Sequence, residues 1–121
     1  KMKKILIAED EKPLAKALVL KLNKEGFAAE AAYDGEEAIE KLNRNQYDLV
    51  LLDMVMPKKD GFSVLKEVKE KKIKTAIIVL SNLSQEEEIR QAMALGASDF
   101  MIKSNTPLSE VIKKIKRVLE L

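Results

Sequence analysis

The 121 residues contain no cysteine, no histidine and no tryptophan, with only four glycines and three prolines. Without cysteine there is neither a disulfide nor a thiolate metal site. Without histidine, imidazole-based zinc sites, Ser-His-Asp chemistry and a phosphohistidine of the chain's own are excluded. No apolar run approaches the ~20 residues of a membrane span. No signal-peptide pattern opens the sequence, so the cytoplasm is the expected compartment. Charge of one sign is lacking too: 35% of residues are charged, yet the net charge is only +2. That balance suits a surface of mixed sign and argues against a nucleic-acid or membrane face. The length is that of one domain, long enough to bury a core without staples.

What is present is organised around Tyr47 to Gly61, YDLVLLDMVMPKKDG. An unbroken apolar run, Leu49 to Leu52, stops on a carboxylate, Asp53. Such a run suits a strand buried on both faces, hence a parallel sheet under helices. Pro57, Asp60 and Gly61 then turn the chain toward a helix. A second run, Ile5 to Ala8, ends on Glu9, Asp10 and Glu11.

Taken in order, Lys3 to Ala8 reads as the first strand. A helix opens at Pro13, carries Leu14, Leu18 and Leu22, and stops at Gly26. Phe27 to Ala32 is less apolar and suits an edge strand. Asp34, with Glu37 three residues on, caps a helix bearing Ala38, Ile39 and Leu42. Strand three is Asp48 to Leu52, and Phe62, Leu65 and Val68 mark the third helix. Thr75 to Leu80 is the fourth strand, ending on Ser81 and Asn82. Ser84 with Glu87 predicts a capping box for helix four, which carries Ile89, Ala92 and Met93 and closes at Gly96. Ser98 to Ile102 is strand five, stopping at Lys103. Thr106 and Pro107 start a last helix with Leu108, Val111, Ile112, Ile115, Val118 and Leu119 on one stripe.

Five strands alternating with five helices over short loops predict an α/β fold, a doubly wound (βα)5 unit with a parallel sheet. In the flavodoxin-like strand order 2-1-3-4-5, strands one and three are neighbours at the switch point. That order brings Glu9 and Asp10 beside Asp53, with Ser81 one strand away and Lys103 beyond it. Three carboxylates in one cleft repel each other unless a cation is bound, and oxygen-only ligands favour Mg²⁺, Mn²⁺ or Ca²⁺. A lysine and a hydroxyl opposite the cation complete a clamp for a tetrahedral dianion. The chemistry implied is phosphoryl transfer onto a carboxylate.

With IAEDE at strand one, LLDMVMPKKDG at strand three, LSN at strand four and GASDFMIK at strand five, the chain resembles the receiver domain of bacterial two-component response regulators. The resemblance covers essentially the whole chain, residues 1–121, as a single receiver domain with no effector domain, or as a fragment of a longer regulator. It implies that Asp53 is the phosphoacceptor, taking a phosphoryl group from a phosphohistidine of a sensor histidine kinase or phosphotransfer protein. Glu9, Asp10 and Asp53 would hold Mg²⁺ (or Mn²⁺), with the backbone carbonyl of Val55 as a further ligand. Ser81 would move to the phosphoryl group, Lys103 would be its cationic partner, and Phe100 would rotate with the switch. Output through helix four to helix five would go to a downstream protein target or a phosphorylation-dependent homodimer, with no direct nucleic-acid or membrane contact. By the same resemblance such a chain would be no conventional enzyme: it would receive a phosphoryl group and could catalyse its own dephosphorylation.

Taken one at a time, the same residues have plainer readings: Ser81 as a loop hydroxyl, Phe100 as core, Lys103 as a solvated lysine and Glu11 as a surface charge near a helix start. Their joint occurrence at the right strand ends is what carries the functional reading. Two positions depart from the family pattern. Asn82 stands where the residue is usually small, and Ser104 stands where Pro usually follows the lysine. Val111 and Ile112 lie one residue further from Lys103 than in the family, so a trans Lys103–Ser104 bond is expected. Phe100, lacking a hydroxyl, is expected mostly buried even without phosphate. Two other functions suit the fold. A pseudo-receiver would bind proteins without taking phosphate; it is favoured by the two departures and opposed by the intact acidic set and Lys103. A flavin carrier is disfavoured by the lack of tryptophan, the two tyrosines and the absence of a phosphate-cradling loop.

Overall fold

In the computed structural model, which describes residues 2–121, five parallel strands lie in the order β2-β1-β3-β4-β5. The strands are β1 (Lys4–Ala8), β2 (Ala28–Ala32), β3 (Leu49–Leu52), β4 (Ala76–Ser81) and β5 (Asp99–Ile102). The helices are α1 (Lys12–Lys24), α2 (Gly35–Arg44), α3 (Gly61–Glu70), α4 (Glu86–Ala94) and α5 (Leu108–Val118), with a 3-10 turn at Lys103–Asn105 before the last. This is the parallel architecture that the alternation of apolar runs and helical stripes predicts, in the flavodoxin-like order expected for it.

Side-chain alternation along the strands divides the core in two. Leu6, Val50, Leu52, Ile77 and Val79 face the layer of α2, α3 and α4. Ile5, Ile7, Leu49, Leu51, Ile78 and Leu80 face α1 and α5. The central strands β1 and β3 are almost wholly buried, whereas β2 and β5 are partly exposed, as edge positions require. Gly26 and Gly96, the two helix stops, take left-handed backbone at φ 94° and 106°.

The helix starts differ in detail from the sequence expectation. Asp34 does cap α2, its side chain accepting the Glu37 N–H at 2.8 Å. Helix α4, however, starts one residue later than Ser84 predicts: the Gln85 N–H bonds Glu88 Oε1 at 3.2 Å. Leu83 is the reason, because it packs half-buried against the core and its N–H turns back to Ser81 Oγ at 3.4 Å, which delays the helix. Met93 also lies off the buried stripe, 42% exposed, and Ala92 is the only fully buried residue of α4. Thr106 does not cap α5; Pro107 takes that position, and the Thr106 hydroxyl donates instead to the Ile102 carbonyl at 2.7 Å. Strand β4 extends through Ser81. Every described peptide bond is trans, including Lys103–Ser104.

Candidate functional site

Strand register places the chemical groups. Ala8 stands opposite Leu52 and Ala32, so the next residues, Glu9 and Asp53, emerge side by side at the carboxyl edge of the sheet. The Glu9 N–H still bonds the Ala32 carbonyl and the Asp53 N–H the Ala8 carbonyl, both at 2.9 Å. These two bonds continue the ladder and fix both side chains. On the far side Ser81 pairs with Ile102, which puts Lys103 immediately past the end of β5. Among the described residues, Glu9, Asp53 and Ser81 are the buried polar side chains. All three meet at this edge.

The β3–α3 loop can pass this close only because of Gly61. A Cβ there would lie 2.6 Å from the Asp53 carbonyl oxygen and from Met54 Cα. The Gly61 N–H bonds the Met54 carbonyl at 3.0 Å, and the Asp60 side chain caps α3 at Ser63. Sequence and local structure thus agree on why Asp60-Gly61 follows the acidic residue.

Asp53 is held at both oxygens. Oδ1 accepts the Ser81 hydroxyl at 2.8 Å and the Val55 N–H at 3.2 Å. Oδ2 accepts the Lys103 ammonium at 2.9 Å. The same ammonium reaches Glu9 Oε1 and Glu11 Oε2, both at 2.8 Å. Glu9 is further fixed by the Glu11 N–H on Oε2 at 2.9 Å. Glu11 is therefore a partner of Lys103, not the unattached surface charge expected from its place near a helix start. Residue 11 lies past the end of β1, where no strand alternation marks it.

The ligand oxygens of Glu9, Asp10 and Asp53 lie within 4.8 Å of one another. Opposite ligands of a cation held by direct bonds of ~2.1–2.5 Å lie ~4.2–5 Å apart, so three carboxylate oxygens this close are within reach of one hard divalent ion. Asp10 is exposed, leaving that side open to water ligands and to a substrate. Val55 lies at the site through its backbone, its side chain 58% exposed.

The charges are not balanced among themselves. Four carboxylates, Glu9, Asp10, Glu11 and Asp53, face one ammonium. Burial pushes the Glu9 carboxyl up to about 7, against the pull of the Lys103 ammonium and the Glu11 N–H, and the Asp53 charge adds to the rise. Burial alone would lower Lys103, but its bonds to Glu11, Glu9 and Asp53 outweigh this and hold it above the ordinary lysine range. The two directions are compatible, because one ammonium shared by three carboxylates cannot neutralise them all. A site with surplus negative charge, carboxylate oxygens and an open side favours a divalent cation.

Phe100 pairs with Val79 in the β4–β5 ladder and is partly buried against the α3 and α4 side of the core. Asn82 and Ser104, the two departures, touch each other: the Ser104 N–H donates to Asn82 Oδ1 at 2.8 Å. Nothing in the sequence announces that bond, since either residue alone reads as a polar loop position.

The arrangement has known relatives. The family model described as the response regulator receiver domain matches residues 5–116. The transcriptional regulatory protein DltR of Streptococcus agalactiae is 40% identical over 83% of this chain and 45% of its own length. The alkaline phosphatase synthesis transcriptional regulatory protein PhoP of Bacillus subtilis is 35% identical over 97% of this chain and 48% of its own. The chain thus spans about half the length of these curated relatives. Among solved structures, a Francisella response regulator receiver domain superposes with a TM-score of 0.92 at 31% identity, covering 98% of this chain and 97% of that one. TrrA of Thermotoga maritima, solved in complex with Mg²⁺-BeF, gives 0.84 at 34% identity over 96% and 98%. With a family match over nearly its full length and the acidic cluster, hydroxyl and lysine gathered at one sheet edge, the chain belongs to the receiver domains of two-component response regulators.

Proposed function

We propose that Asp53 accepts a phosphoryl group from the phosphohistidine of a partner kinase or phosphotransfer protein. The observation that carries this reading is the two-sided grip on one buried carboxylate: the Ser81 hydroxyl on Oδ1 and the Lys103 ammonium on Oδ2. A domain that only bound proteins would gain nothing from burying three polar groups at one strand edge, because burying charge costs stability. The reaction forms a bond between an Asp53 carboxylate oxygen and phosphorus and breaks the phosphorus–nitrogen bond. The bonding pair remains on the departing imidazole, which takes up a proton. Lys103 and Ser81 supply positive charge and a hydrogen bond to the phosphoryl oxygens as charge moves onto them. Hydrolysis by water at phosphorus returns the carboxylate and releases inorganic phosphate.

Glu9, Asp10 and Asp53, with the Val55 carbonyl, would hold Mg²⁺ or Mn²⁺, and the bound ion would neutralise phosphoryl oxygens. TrrA, bound to Mg²⁺-BeF, supports that choice. The response would pass through Ser81 and Phe100 to α4, β5 and α5. Helix α4 suits the role because a single buried residue, Ala92, anchors it, so little packing opposes its displacement. The partners are proteins: a cytoplasmic kinase on the input side, and on the output side a protein target or a second receiver.

Incubation with acetyl phosphate and Mg²⁺, followed by intact mass measurement, tests the reading. One phosphate mass should add to the wild type and none to Asp53→Asn. An equal adduct on the variant would remove Asp53 from its role.

A further inference from the structure

The two residues that depart from the family pattern bond to each other at the lip of the site. Strand β4 lies between β3 and β5, so an Asn82 side chain that reaches residue 104 leans toward β5. It leans away from β3, at whose end Asp53 lies. The Asn82 amide is thereby tied toward the turn after β5.

The same bond constrains Lys103. Behind it, Ile102 is paired with Ser81 and its carbonyl accepts the Thr106 hydroxyl at 2.7 Å. Ahead of it, the Ser104 N–H is held by Asn82. A proline at 104 would carry no N–H, so this tether exists only because Ser104 replaces it. Ser81 and Asn82 are consecutive, as are Lys103 and Ser104. The tether therefore joins the immediate neighbours of the two residues that grip Asp53, one on each oxygen.

We infer that Asn82 is a positioning residue for phosphoryl transfer, a strap from β4 to the turn after β5 that holds the Lys103 ammonium on Asp53. The inference rests on the reading of Asp53 as the phosphoacceptor. The strap substitutes a side-chain hydrogen bond for the rigidity that proline would give this turn, and it fixes the distance between the hydroxyl and ammonium donors. The Asn82 side chain acts through the backbone of residue 104.

The test compares wild type, Asn82→Ala, Lys103→Ala and the double variant, each as the full 121-residue chain. The probe is acetyl phosphate with Mg²⁺, read as the rate of mass increase. Asn82 is exposed, so its truncation leaves the fold in place, and the melting curve verifies this. Asn82→Ala should slow phosphorylation about 3- to 10-fold, as a displaced catalytic group does. Mg²⁺ affinity should stay within about 2-fold, and the Ser104 amide resonance should lose its exchange protection. In the Lys103→Ala background the same truncation should change the rate by less than about 2-fold, because the strap acts only through that lysine. A rate equal to or above wild type in Asn82→Ala would mean the side chain merely crowds the site, and the inference would fall. An undiminished loss in the Lys103→Ala background would overturn it equally, by showing that Asn82 acts elsewhere. A wild-type chain that takes no phosphate would bring down the phosphoacceptor reading itself, and the strap's role with it.

Discussion

Replacing Glu9 with glutamine should make the metal-free protein more stable at pH 8, although it removes a bond to Lys103. Glu9 is buried with its side chain 3% exposed, and its carboxyl is pushed up to about 7 from 4.5. The folded state thus binds the Glu9 proton more tightly than the unfolded state does. Its contribution to stability is fully present below pH 4.5, fades as pH rises between 4.5 and about 7, and is gone above that. A difference of roughly 2.5 pH units at 1.36 kcal/mol each amounts to about 3 kcal/mol of ionisation cost at pH 8. Glutamine carries no charge and escapes this cost. The loss of the charged bond to Lys103 is already contained in that figure, because the bond lowers the Glu9 carboxyl, and Lys103 keeps Asp53 and Glu11. The gain at pH 8 should approach about 3 kcal/mol and shrink toward pH 5, where Glu9 of the folded wild type is protonated while its unfolded state is largely ionised.

Urea unfolding in the presence of a chelator, at intervals from pH 5 to pH 8, measures the difference between the two proteins. The difference should climb across that interval in favour of the variant. A curve flat with pH, or a Glu9→Gln protein less stable at pH 8, would refute the assignment of Glu9 as the carboxylate that bears the unneutralised charge. Adding Mg²⁺ supplies the missing positive charge. It should stabilise the wild type by the mass-action amount set by its concentration over Kd, and the variant by less.

Gly61→Ala should cost at least about 2 kcal/mol by chemical denaturation, because its Cβ meets the Asp53 carbonyl oxygen at 2.6 Å and backbone has to move. The displaced carboxylate should also take phosphate more slowly. Asp99→Asn tests an ion pair outside the site. Burial raises the Asp99 carboxyl, but Lys114 at 2.6 Å and the Phe100 N–H outweigh it and leave it below the ordinary range. The pair is partly exposed, so about 0.5–1 kcal/mol is expected at pH 7. That difference between wild type and variant should disappear as pH falls through the lowered Asp99 value, below 3.8.

How far the sequence foretold this molecule depends on the range of the interactions concerned. Runs such as Leu49 to Leu52 and stripes such as Val111, Ile112 and Ile115 encode burial locally, and the βα alternation implies a parallel sheet, whereas the order 2-1-3-4-5 came from the flavodoxin-like pattern. The meeting of Glu9, Asp53, Ser81 and Lys103 was readable for the same reason, since each is the residue at or just past the end of an identifiable strand. Helix boundaries were less so. Ser84 matches a capping box as well as Gln85 does, and what decides between them is the burial of Leu83, a tertiary fact.

Glu11 and Asn82 show where one-dimensional reading ends. A carboxylate near a helix start and an amide in a loop are each satisfied by water, so neither demands a partner and neither leaves a periodic trace. Their partners, Lys103 and the Ser104 N–H, lie 92 and 22 residues away. Both bonds nevertheless converge on one turn. Glu11 and Asp53 pull the ammonium of Lys103 from the β1 and β3 side, and Asn82 holds the adjacent backbone from the β4 side. Four of the five strands therefore supply a residue that fixes this lysine or carry it, and β2, at the far edge, is the exception. A cation anchored from three strands and carried on a fourth can be aimed at a carboxylate before any phosphoryl group arrives. On the proposed phosphoacceptor reading, the ordering cost would be met during folding and the transfer step would have less reorganisation to undergo.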